Sequence, residues 1–122
     1  MAIFQGENLA FKIILKDSNG SVIETTSIDD ISAKLYNEAQ NKVYIEYALG
    51  NGDSGILDRT IIADDDHSGF LFEIYGVDSA ILLPGRYIIQ IEYKVSDSRF
   101  PKDNDYKIYK QKGALITINK AL

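Results

Sequence analysis

A chain of 122 residues, 45% hydrophobic and 25% charged, has the size and composition of one globular domain that buries roughly two thirds of the surface its unfolded form exposes. Its net charge of −5, from 13 basic against 18 acidic residues, disfavours binding a phosphate backbone, and the absence of cysteine excludes both a disulfide framework and a thiolate metal site. The opening residues lack the basic and uninterrupted apolar segments of a secretory signal, and no run reaches the length of a membrane span. The expectation is therefore a protein made in the cytoplasm and soluble there at least at first, with no nucleic-acid and no membrane partner.

Strand signals recur at short spacing with turn signals between them, and helical periodicity is almost absent. After a short first strand in "AIFQ", the segment "NLAFKIILK" alternates Leu9, Phe11, Ile13 and Leu15 with Ala10, Lys12, Ile14 and Lys16, which turns one face to a core. Asp17, Asn19 and Gly20 of "DSNG" are turn formers, and "SVIETT" is expected to return as the hairpin partner. "ISAKLYN" places Ile31, Ala33 and Leu35 inward with Lys34 and Tyr36 outward. "EAQN" turns it into "KVYIEYAL", with Val43, Ile45 and Tyr47 on one face. The three glycines of "GNGDSG" mark a loop, and "ILDRTIIA" reads as a less regular strand.

Beyond the acidic stretch "ADDDHSG", "FLFEIYG" sends Phe70, Phe72 and Ile74 inward and Leu71, Glu73 and Tyr75 outward. "VDSAILLPG" accommodates one helical turn before a corner at Pro84 and Gly85. The strongest strand follows in "RYIIQIEYKVSD", with Tyr87, Ile89, Ile91, Tyr93 and Val95 opposed to Arg86, Ile88, Gln90, Glu92 and Lys94, and it is expected to lie centrally. "SRFPKDNDYK" forms a polar loop or hairpin tip carrying Phe100 and Pro101, and "KGALITINKA" closes the chain as an edge strand. No repeat or linker divides the sequence. The reading is one domain, residues 1–122, an all-β antiparallel immunoglobulin-like sandwich of about seven to nine strands. Tyr87, directly after the "PG" corner, stands where such sandwiches place a corner tyrosine.

"ADDDHSG" is the densest cluster of ionisable groups, and it reads as a solvated turn. His67 is the chain's single histidine and no cysteine accompanies it, so a zinc site is not expected. Asp64 and Asp66 stand at the alternate spacing that calcium loops use, which makes them weak calcium candidates in need of a further acidic ligand from elsewhere. A nucleophilic triad has nothing to orient His67, and Glu73 with Glu92 as an acid and base pair would sit on outward strand faces. "GNGDSG" lacks the Lys-Ser or Lys-Thr ending of a phosphate loop. The basic stretch "YKIYKQK" is expected to be an outward strand face. No enzyme and no cofactor are expected.

Eight tyrosines and no tryptophan leave outward rings as the material of an interface, with Tyr36, Tyr44, Tyr75, Tyr106 and Tyr109 at outward-reading positions. Ile3 and Phe4 on the first strand and Phe100 and Pro101 at the hairpin tip complete the expected contact residues.

The opening "IFQGENLAFKIILKDSNGSVIETTSIDDISAKLYNE" resembles the start of immunoglobulin-like modules of bacteriophage virion proteins, such as the N-terminal domain of baseplate upper proteins. Gly6 and Glu7, Asp17, Asn19 and Gly20, Ile23, and the run Ile28 to Ala33 hold the matching places. "SGFLFEIYGVDSAILLPGRYIIQIEY" resembles the second half of such modules. The resemblance implies a non-enzymatic structural component of a virion, as a capsid decoration protein or a tail or baseplate adaptor. Its expected partners are other virion proteins or further copies of itself. The alternative is a carbohydrate-binding sandwich, calcium-assisted through Asp64 and Asp66.

Overall fold

The computed structural model describes residues 1–49 and 57–122, with the side chains of 57–60 outside the description; the expected "GNGDSG" loop falls in the undescribed stretch. Eight strands occur among the described residues: β1 Ala2–Phe4, β2 Leu9–Ile13, β3 Asp30–Asn37, β4 Lys42–Leu49, β5 Leu57–Ala63, β6 Phe70–Ile74, β7 Gly85–Ser96 and β8 Tyr106–Asn119. A single helical turn, α1 Gly76–Ser79, precedes the corner into β7. The fold is all-β, as the alternation predicts. No helix among the described residues is long and apolar enough to cross a membrane.

The strands form one mixed sheet in the order β1-β8-β7-β3-β4-β5-β6-β2. It curls so that β2 and β6 face β3, β4, β7 and β8 across a common core. Tyr47 of β4 sets its ring edge against Phe72 of β6 at 5.2 Å, and its hydroxyl donates to the Glu73 carbonyl at 2.9 Å. Tyr93 of β7 reaches the Lys16 carbonyl at 3.4 Å. The expected inward residues Ile13, Leu15, Ile31, Ala33, Leu35, Ile45, Tyr47, Phe70, Phe72, Ile74, Tyr87, Ile89, Ile91 and Tyr93 are all buried. Burying each of the larger apolar ones stabilises the fold by about 1.5–3 kcal/mol. β7 lies between β3 and β8, central as expected.

Four expectations need correction. The sheet is not wholly antiparallel, because β1 runs parallel to β8 and β4 parallel to β5. Side-chain alternation is the same in either direction, so the sequence pattern carries no sign of it. "SVIETT" returns antiparallel as expected but only briefly: Asp17 N–H donates to the Ser21 carbonyl and Ile23 N–H to the Leu15 carbonyl, both at 2.9 Å, around the single bridge Lys16 to Val22, and a 3₁₀ turn at Thr25–Ser27 follows in place of a strand. β2 itself ladders with β6, where Phe11 stacks on Phe72 at 5.7 Å. The end of the last strand is not an edge, since β1 covers it in the register Ile3 to Ile118. Ile88, read as outward, is buried, because Tyr36 and Leu115 flank it on the neighbouring strands.

Two glycines answer to backbone demands. Gly6 turns the chain from β1 to β2 at φ +91°, a region costly to any residue with a Cβ. The following Glu7 closes the same turn, its Oε1 accepting the Phe4 N–H at 2.7 Å. Gly113 is skipped in the β7–β8 register, and a Cβ there would come within 2.6 Å of the Ile13 and Ile91 side chains. It lets β8 pass close over the core.

Candidate functional site

The acidic stretch is a turn between β5 and β6. Asp64 N–H donates to the Gly69 carbonyl and His67 N–H to the Asp64 carbonyl, both at 2.9 Å, and His67 adopts φ 59°. Asp66 Oδ1 accepts the Ser68 hydroxyl at 2.6 Å and the Ser68 N–H at 3.0 Å. Lys12, pointing outward from β2, sets its Nζ 2.6 Å from Asp64 Oδ2 and 3.5 Å from Asp66 Oδ1. The Ser68 hydrogen bonds, with the Lys12 charge behind them, hold the Asp66 carboxyl down at about 2. Asp64 above all, with Asp66 behind it, raises the Lys12 ammonium in return. The calcium candidates Asp64 and Asp66 thus share a lysine ammonium, and a cation would have to displace it. Among the described residues no group of three or more His, Cys, Asp or Glu gathers for a metal.

Glu73 on β6 and Glu92 on β7 face away from the core on strands that are not neighbours in the sheet, so the structure does not bring that carboxylate pair together. The outer face of β3, β7 and β8 holds a shallow trough of about 380 Å³ lined by Ser32, Lys34, Gln90, Glu92 and Lys110. Its side chains alternate in charge across the strands, with Lys34 opposite Glu46 and Gln90, and Glu92 opposite Ser32 and Lys110.

The contact residues read from sequence separate into groups. Ile3 is only 8% exposed and Tyr44 only 7%, so both belong to the core rather than the surface. β1 presents Ile3 inward and Phe4 outward. Tyr44 packs edge-on against Tyr87 at 5.6 Å and gives its hydroxyl to Gln40, because the register shift between Leu35 and Tyr36 breaks the simple alternation along β3 and β4. Tyr36, Tyr106 and Tyr109 are half-buried; Tyr36 bonds Asn41, and Tyr109 stacks on Tyr93 at 4.9 Å. Of the eight tyrosines, Tyr75 alone is exposed. Phe100 and Pro101 stand exposed at the β7–β8 hairpin tip, where Asp97 holds Arg99 at 2.6 Å over the Phe100 ring.

A surface that the sequence reading passed over lies at the opposite end of β7. In "VDSAILLP", Val77 is 75%, Ile81 55% and Leu83 49% exposed, and the exposed Tyr75 precedes them. Asp78 and Ser79 beneath them are buried. The Ser79 hydroxyl donates to the Glu7 carbonyl at 2.5 Å and accepts the Gly6 N–H at 3.0 Å, and the Gln5 amide donates to the Leu82 carbonyl at 2.8 Å. The exposed apolar side chains therefore stand on a segment tied into the fold. The available signal was the run Ile81, Leu82, Leu83 beside a corner, where only one of the three can enter the core; Leu82 does.

At that corner the Tyr87 hydroxyl donates back to the Leu83 carbonyl at 2.6 Å. Burial pushes the phenol's pKa up, and the buried Asn37 side chain beside it works the other way. Compared with family models, with curated proteins and with solved structures, the chain matches none.

Proposed function

We propose that the chain is an immunoglobulin-like β-sandwich serving as a non-enzymatic structural component of a bacteriophage virion, on the capsid or as a tail or baseplate adaptor, and acting through protein–protein contacts. The strand order supports the fold reading. Within the one sheet, which the parallel β4–β5 pairing keeps continuous, β2-β6-β5 follows the B-E-D order of one immunoglobulin sheet and β4-β3-β7-β8 the C′-C-F-G order of the other. Tyr87, at the start of the strand equivalent to F and bonded four residues back to Leu83, occupies the place of the corner tyrosine of such domains. The virion assignment rests on the resemblance of the opening and of the "LLPGRY" half to phage modules.

The observation that carries the contact reading is the apolar pole of Val77, Ile81 and Leu83, held exposed on a hydrogen-bonded base. Several large apolar side chains left exposed in one short, hydrogen-bonded segment favour an interaction site. The non-enzymatic reading is supported by the acidic turn, whose carboxylates are engaged by Lys12 and Ser68. The carbohydrate alternative has less support, because a sugar platform needs exposed rings and Tyr75 is the one exposed tyrosine.

The test is incorporation into particles of a Val77→Asp/Ile81→Asp variant. Both positions are exposed, so unfolding should stay within about 0.5 kcal/mol of the parent. The expected result is a folded variant depleted from purified particles; incorporation at the parental level would remove the pole from the account.

A further inference from the structure

The last strand is covered unequally. Over Thr117 and Ile118 β8 lies between β7 and β1, and the flanking bonds on the β1 side end with Thr117 N–H to the Met1 carbonyl and the Met1 ammonium to the Leu115 carbonyl. From Tyr106 to Ala114 its only ladder partner among the described residues is β7. This open edge is longer than the roughly five or six residues of a typical strand. Alternate residues of an antiparallel pair turn their N–H and C=O groups away from the partner, so the stretch offers a row of backbone donors and acceptors.

Its side chains are one-sided in charge. Lys107, Lys110 and Lys112 lie on it and no acidic residue does, in a chain of net charge −5. Ile108, Lys110 and Lys112 are exposed on the outer face, whereas Tyr109 stacks on Tyr93 and Gly113 closes over Ile13 and Ile91 on the inner face. The lysines are only loosely engaged. Lys112 is 4.0 Å from an exposed Glu38 carboxylate, Lys110 stands across from Glu92, and Lys107 lies 4.7 Å over the Tyr109 ring. Exposed pairs of this kind contribute about 0–1 kcal/mol and yield readily to a better partner.

We propose that the edge Tyr106–Gly113 is a strand-addition site for an extended acidic segment of another protein. The inference rests on the reading of this chain as a contact protein and names the chemistry of one partner. An added strand would set carboxylates beside Lys110 and Lys112 on the outer face and apolar side chains beside Tyr109 on the inner face, the two-sided pattern that strand addition reads. A second copy is disfavoured as the occupant. Edge against edge over residues 106–113, the lysines of one copy meet lysine, tyrosine, isoleucine, glutamine or glycine and never an acid, and like charges placed opposite one another destabilise the pair.

The probe is a blocked heptapeptide alternating glutamate and valine, titrated into the isotopically labelled full chain, with a lysine and valine heptapeptide as control. The expected result is amide shifts concentrated on residues 106–114 with the acidic peptide and none with the basic one. Binding should weaken as salt rises and fall at least tenfold in the Lys110→Glu/Lys112→Glu variant, whose unchanged amide spectrum elsewhere reports that it folds. Three results would overturn the proposal: no shifts along β8, equal binding of both peptides, or a concentration-dependent dimer joined through β8. Silence of β8 toward the acidic peptide leaves particle incorporation untouched, and absence from particles leaves β8 binding untouched, so the two readings fail separately.

Discussion

Replacing Tyr87 with phenylalanine removes one oxygen atom from the corner between α1 and β7 and leaves the ring in place. The ring is fully buried, in contact with Tyr44, so no cavity larger than a hydroxyl opens. One hydrogen bond is lost, the one donated to the Leu83 carbonyl at 2.6 Å. With a net contribution of about 0.5–1.5 kcal/mol for a neutral bond, the expected loss is about 0.5–1.5 kcal/mol. Its upper part applies because the Tyr87 side chain is fully buried. Urea unfolding followed by far-ultraviolet circular dichroism measures this, with the slope against denaturant unchanged so that the midpoint alone reports stability. Tyr36→Phe, which loses a bond to Asn41 on the surface, is the control and should cost no more than about 0.5 kcal/mol. A Tyr87→Phe loss no larger than the control's would refute the claim that this hydroxyl pins the corner.

The Asp66 carboxyl should titrate at about 2, below its ordinary 3.8, and because the folded value is the lower one its contribution is complete above about pH 4 and disappears as pH falls through about 2. Carbon-detected magnetic resonance of the side chain reads the midpoint. Ser68→Ala should raise it more than Lys12→Met, since the serine bonds are the larger cause, and the reverse order would contradict the assignment. Gly6→Ala should cost about 1–2 kcal/mol through backbone strain at φ +91°, with nothing near enough to clash, and Gly6→Asn less, both measured by denaturant unfolding. Millimolar calcium should leave the thermal midpoint unmoved, because Lys12 already bridges Asp64 and Asp66; a rise of several degrees would show that the ion can displace it.

The strands were legible because burial writes a period of two into them. Ile31, Ala33 and Leu35, or Phe70, Phe72 and Ile74, could be assigned to a core without knowing what they touch. Partnership and direction were not legible. Nothing in "SVIETT" says that β2 will pair with β6, since that choice depends on the Phe11 and Phe72 stack between segments far apart in the chain. The Tyr44 burial escaped for a related reason: one register shift in the pairing with β3 re-aims a side chain that strict alternation sends outward. At the surface, the turn chemistry of "ADDDHSG" was read correctly as a turn, but its lysine came from β2. The apolar pole was hidden in a segment read only for its corner, and the basic stretch of β8 became informative once the short β1 showed which part of that strand stays open.

The most direct test of the central claim is quantitative mass spectrometry of density-purified phage particles from the source culture, scaled to the major capsid protein. A structural component should co-purify at a fixed ratio, near one per capsid subunit for a decoration protein or in a small symmetric number for a tail or baseplate adaptor. Its absence from particles while it is abundant in the lysate would contradict the account.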